Sequence, residues 1–88
     1  MRWDARKDEN HAEIVAGLKQ ACRSVAETHR LGGGFPDLLV GFGGKMWLLE
    51  VKTKEGKLQK NQLEFFETWR GPKPIVVRSL EEALEATK

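Results

Sequence analysis

Gly34-Phe35-Pro36-Asp37-Leu38-Leu39-Val40-Gly41-Phe42-Gly43-Gly44-Lys45-Met46-Trp47-Leu48-Leu49-Glu50-Val51-Lys52 is the stretch whose reading decides the fold. Pro36 biases Phe35 to an extended conformation, and Asp37 to Val40 then reads as a strand. Its Leu-Leu-Val run is apolar on both faces, as in a buried strand. Gly41-Phe42-Gly43-Gly44 is a hairpin signal, and Met46 to Val51 is the returning strand.

A two-residue loop at Gly43-Gly44 pairs Phe42 with Lys45, Gly41 with Met46, and Val40 with Trp47. Continuing that ladder sets Asp37 opposite Glu50, with Cβ atoms roughly 4.5–5.5 Å apart. A four-residue loop slides the register but keeps the two acids on one face. A three-residue loop separates them unless a bulge intervenes. Gly-Gly tolerates the positive φ of a tight turn and favours the two-residue form. Side-chain alternation also puts Lys52 on the face of Glu50, with Leu49 and Val51 on the other.

Two opposed carboxylates destabilise a strand pair unless something compensates. A divalent cation does so best. Hard oxygen ligands with open positions suit Mg²⁺ or Mn²⁺, which keep several waters and take the rest from carboxylates and phosphate. The bland alternative is a surface ion pair at Lys52 with Asp37 capping the turn after Pro36. The hairpin that aligns all three residues favours the metal site.

Working outward, a helix is predicted from about Gln59 to Arg70, stopped by Gly71-Pro72. Leu58, Phe65, Phe66 and Trp69 form its apolar face, and Gln62 sits in the middle of that face. A polar amide there needs a partner. It is either a rim residue bonded to backbone or a group that reaches the site. Towards the N-terminus, residues 1–8 read as a polar arm, loose or docked by Trp3. A first helix is predicted from near Asn10, with Glu13 in capping-box spacing. Glu13 is also the third candidate acid, with Glu9 as its competitor. Ile14, Val15, Leu18, Ala21, Cys22 and Val25 are its expected buried face. Gly17 costs helix stability but permits close approach by a neighbour. Strands are expected at 24–29 and 74–78. Ser79 and Glu82 make a capping box that opens a third helix. The order is α-β-β-β-α-β-α, an α/β chain.

The 88 residues support one domain, spanning 1–88, with a modest core that a second copy would help to stabilise. The net charge of +2 is too small to name a partner. Lys52, Lys54, Lys57 and Lys60 nevertheless form a local basic stripe that suits a phosphate backbone or, equally, a solvated loop. The single cysteine, Cys22, excludes an internal disulfide and a Cys/His zinc knuckle, and fits a reducing cytoplasm. It is expected to pack in the helix. No apolar run is long enough to span a bilayer, and Met1–Glu9 lacks the apolar core of a signal peptide.

Glu13 on the first helix, Gly34-Phe35-Pro36-Asp37-Leu38, Leu49-Glu50-Val51-Lys52, Leu58-Gln59-Lys60-Asn61-Gln62 and Val76-Val77-Arg78-Ser79 followed by Glu81-Glu82-Ala83-Leu84 together resemble the virus-type replication-repair nuclease (VRR-NUC) domain of the PD-(D/E)xK nucleases. The likeness runs from about Asn10 to Ala83. It implies a restriction-endonuclease-like core, a mixed sheet of about four strands flanked by helices. It implies Mg²⁺- or Mn²⁺-dependent DNA cleavage, on branched DNA such as Holliday junctions or on duplex, by a homodimer with no organic cofactor. A phage or prophage origin in a bacterial cytoplasm is implied in the same way. The resemblance makes Asp37 and Glu50 metal ligands, with the backbone carbonyl of Val51 and, directly or through water, Glu13. Lys52 and Gln62 act on water and phosphate, and Lys54, Lys57 and Lys60 hold flanking DNA. A non-cleaving nucleic-acid-binding module on the same fold and a small phage interaction or regulatory protein are the rival readings. Exposed surfaces around Trp3, Phe42 and Trp47 are the candidate dimer faces.

Overall fold

The hairpin folds with the expected register. In the computed structural model of the chain, the backbone is described for residues 2–88 and side chains from Asn10 onward. β2 (Leu38–Phe42) and β3 (Lys45–Val51) pair antiparallel, with Phe42 against Lys45 and Leu38 against Leu49. Gly43 and Gly44 take φ of 60° and 79°, the left-handed values that a two-residue turn needs. β1 (Ser24–Glu27) adds antiparallel to β2, and β4 (Ile75–Val77) adds parallel to β3. The sheet is therefore mixed, in the order β1-β2-β3-β4. The helices are α1 (Arg2–Gln20), α2 (Lys60–Thr68) and α3 (Leu80–Ala86), with a 3₁₀ turn at His29–Leu31. The element order matches the expected α-β-β-β-α-β-α.

Alternation assigns the two faces. Leu38, Val40, Leu49, Val51 and Val77 pack against Ile14, Val15 and Leu18 of α1 and Ala83 of α3 as one core. Gly17 lets the two helices meet: a Cβ built there would overlap the side chain of Leu80. Arg23 ties their C-terminal ends together. Its guanidinium donates to Ala21 O, Leu84 O and Thr87 O and lies 3.9 Å over the Phe42 ring. Among the described residues, no helix is long and apolar enough to cross a membrane.

Three expectations are corrected. The first helix begins at Arg2 rather than near Asn10, so the backbone of residues 2–8 is helical and not an arm. Arg2–Glu9 holds no Gly or Pro to stop it. Asn10 is then no cap, and Glu13 caps nothing; the docking of Trp3 and the competing Glu9 concern side chains outside the described residues. Cys22 does not pack in the helix but is exposed, with φ 69°. α1 closes in a Schellman turn, Arg23 N donating to Leu18 O and Cys22 N to Lys19 O. Cys22 occupies the left-handed position that Gly usually takes. Finally, α2 was expected to bury an apolar face, yet none of its residues is fully buried. Phe65 stacks on Trp69 with ring centroids 4.9 Å apart, and Phe35 closes edge-on to Phe65 at 5.2 Å. These rings cover only part of the second sheet face. An apolar trough remains, lined by Phe35, Leu39, Met46, Leu48 and Trp69.

Candidate active site

Asp37 lies one residue before β2, and Glu50 lies one step past the Leu38–Leu49 pair, so the two occupy facing positions. The Asp37 side chain completes the ladder that its backbone leaves: Oδ2 accepts from Val51 N at 2.9 Å. Within an extended strand, a residue's N–H and C=O point to the same side. The Val51 carbonyl therefore also faces Asp37, while Lys52 N turns the other way to donate to Val77 O.

Glu50 is only 1% exposed and Lys52 only 8%. Carboxylates and ammonium groups are almost never buried this far unless they are paired. Lys52 Nζ lies 3.8 Å from Glu50 Oε2. The same oxygen accepts from Gln62 Nε2 at 3.0 Å. Gln62 bonds in two directions. Its Oε1 accepts from Gln59 N at 2.8 Å, which caps α2, while its amide nitrogen reaches the buried carboxylate. A polar group on an otherwise apolar face was the signal for it.

α2 is seated where the loop before Asp37 meets it. Gly34 has φ +80°, and a Cβ there would collide with the backbone carbonyl of Asn61. Glycine is needed on both counts. Thr28 fixes the loop from the β1 side. Its N–H donates to Asp37 O at 2.8 Å and its hydroxyl to Pro36 O at 2.7 Å.

The structure does not bring every expected residue to this place. Glu13 is exposed, and among the described residues no hydrogen bond or ion pair links it to Asp37, Glu50 or Lys52. Among the described residues of α1, Asn10 reaches the residue after β3, its Nδ2 donating to Lys52 O at 3.1 Å. Lys54, Lys57 and Lys60 are exposed beyond it. Arg78 was missed from the sequence. Its Nη1 donates to Thr53 O at 2.8 Å and Gly56 O at 2.6 Å, and so cages the turn that carries Lys54 out of the site. A cation directly after a short strand gives no hint of such a partner.

The site thus joins two acids and a lysine at the mouth of a hairpin. The model of the VRR-NUC domain family matches residues 1–77. The chain belongs to the VRR-NUC family. No match is found among curated proteins or among solved structures. Membership accounts for the restriction-endonuclease-like fold and makes the chain a nuclease of the PD-(D/E)xK type, with DNA as the substrate it implies. Nucleases of this type generally use divalent metal ions. The residues present fit such an ion: they pair a buried carboxylate with a half-buried one and turn a backbone carbonyl to the same place, an all-oxygen donor set.

Proposed function

We propose that this VRR-NUC domain is a Mg²⁺- or Mn²⁺-dependent, structure-selective DNA endonuclease that hydrolyses phosphodiesters in branched DNA such as Holliday junctions. The observation that carries this reading is the pair Asp37 and Glu50, held at facing positions beside a buried Lys52. Asp37, Glu50 and the Val51 carbonyl would hold the ion, with Glu13 acting through water. When bound, the ion polarises a phosphate oxygen and makes a water more acidic. Lys52 orients that water or stabilises charge that develops on the phosphate. Gln62 holds Glu50 in its rotamer and positions the phosphate. Lys54, Lys57 and Lys60 contact flanking backbone without reading sequence.

A second copy of the chain is the protein partner we propose. Of the surfaces first considered, Phe42 lies under Arg23, while Trp47 is half-buried against the core and also lines the apolar trough beside α2. This trough, with Met46 65% exposed at its rim, supports the pairing. The rival reading of a binding module that does not cut is disfavoured by the presence of both acids and the lysine.

Cleavage of a panel of labelled four-way junctions, flaps, nicked and plain duplexes with Mg²⁺ or Mn²⁺, alongside a solution mass, tests the whole reading. Preferential junction cleavage by a species of twice the chain mass is expected, and binding with no cleavage under any metal would return the domain to the rival. In the same assay, Lys57→Glu is expected to weaken DNA binding and to lower the slope of log affinity against log salt by about 1. An unchanged slope removes Lys57 from the contact surface.

A further inference from the structure

Away from the two acids, three metal-ligating side chains converge on the other side of Thr28. His11 of α1, Glu27 at the end of β1 and His29 of the 3₁₀ turn each offer one ligand atom, and these atoms all lie within 4.8 Å of one another. His11 Nε2 is 3.1 Å from Glu27 Oε1. The two imidazole rings meet edge to face, 5.3 Å between centroids. Three separate elements supply the set, so the chain must fold before the three can act together.

We infer that His11, Glu27 and His29 form a second metal site, selective for a borderline transition ion such as Zn²⁺. The donor chemistry decides the ion. Two neutral imidazoles and one carboxylate suit Zn²⁺ and its neighbours, whereas Mg²⁺ demands oxygen ligands. Ligand atoms bound to one tetrahedral Zn²⁺ at about 2.0–2.1 Å stand roughly 3.3–3.5 Å apart. The observed atoms are 3.1 Å apart for His11 and Glu27 and at most 4.8 Å apart for the set, which must draw closer to reach that spacing. Glu27 is 45% exposed at its side chain, so the fourth position opens to water.

The placement assigns this ion a bracing role. Its two ligands Glu27 and His29 flank Thr28, which holds the backbone of Pro36 and Asp37. Its third ligand, His11, follows Asn10, whose amide holds Lys52 O. One ion would therefore clamp α1 to β1 and to the loop that presents Asp37. Imidazole nitrogen favours Zn²⁺ over Mg²⁺, whereas the carboxylate site admits either ion, so substitution of one site at a time separates them.

The test uses the tag-free, metal-stripped chain with ZnCl₂ and CoCl₂ as probes. Calorimetry is expected to find one Zn²⁺ per chain, and Co²⁺ to give the visible absorption of a tetrahedral site. Both signals should persist in Asp37→Asn, which disables the other site, and Zn²⁺ affinity should fall at least tenfold in His29→Ala and in His11→Gln. Amide exchange at Thr28 should slow on Zn²⁺ addition in the parent and not in His29→Ala. Equal Zn²⁺ affinity in the parent and both histidine variants, or loss of the signal in Asp37→Asn alone, overturns the site. Binding with no change at Thr28 overturns the bracing role.

Discussion

Asp37→Asn is expected to lower metal-dependent DNA cleavage by at least about a hundredfold while the protein remains folded. The amide is the informative replacement. Asp37 Oδ2 accepts from Val51 N, and an asparagine carbonyl can accept the same bond. Alanine would leave that N–H without its acceptor and add a stability cost of about 1–3 kcal/mol to the loss of charge. Glu50 is a poorer probe for the same reason in stronger form. It is buried with Lys52, and deleting one member of a buried pair typically costs about 3–5 kcal/mol. With Asp37→Asn the catalytic and structural effects separate. The parent should also gain about 2.7 kcal/mol of stability at a Mg²⁺ or Mn²⁺ concentration a hundred times its Kd. The variant should gain far less under the same conditions. Thermal denaturation with and without the ion, beside the cleavage assay, checks both expectations. Undiminished cleavage by folded Asp37→Asn would remove Asp37 from the site.

The hairpin was legible because every local signal in it agrees. Gly43-Gly44 specifies the turn, the turn specifies the register, and the register puts Asp37 across from Glu50. Gln62 was legible as a polar residue out of place on an apolar face. The errors have two sources, a long-range contact that overrides a local signal and a local helix ending that side-chain spacing does not reveal. Asn10 has the composition of a helix cap, but its amide is used 42 residues away at Lys52 O, and the helix continues past it. Cys22 continues the apolar spacing of α1, yet the helix has already ended in a Schellman turn. Arg78 and Thr28 escaped notice because their side chains donate to backbone carbonyls, which leave no trace in side-chain pattern.

The same distinction explains why α2 was overestimated. Its apolar spacing is genuine, but spacing says only which residues share a face and not whether anything covers them. Leu63 is 48% exposed and Trp69 37%, so burial contributes little to holding this helix. What holds it is a few specific contacts: the Gln62–Glu50 bond and the backbone approach at Gly34 at its N-terminal end, the Phe35–Phe65–Trp69 rings along its second half, and Lys73 Nζ donating to Phe66 O and Trp69 O at its C-terminal end.

Gly34→Ala is therefore expected to be the most damaging change outside the charged residues. Two costs act together. The left-handed φ of +80° penalises any side chain by about 1–2 kcal/mol, and the Cβ meets the carbonyl of Asn61 rather than a movable side chain. Relieving that overlap requires a backbone shift, which in packed regions costs about 1–3 kcal/mol. The sum is roughly 2–5 kcal/mol. The displaced element is the first turn of α2, so Gln62 moves away from Glu50, and a misplacement of about 1 Å at a reacting site can cost about a hundredfold in rate. Gly33→Ala separates the two costs. Gly33 has φ +64° but nothing within 4 Å of its built Cβ, so it carries the conformational penalty alone. Urea denaturation should place Gly33→Ala about 1–2 kcal/mol below the parent, with cleavage retained, and Gly34→Ala lower in both. Equal losses of stability and activity in the two variants would mean that the approach to Asn61 does not seat α2. The contact of Gln62 with Glu50 would then depend on the aromatic rings instead.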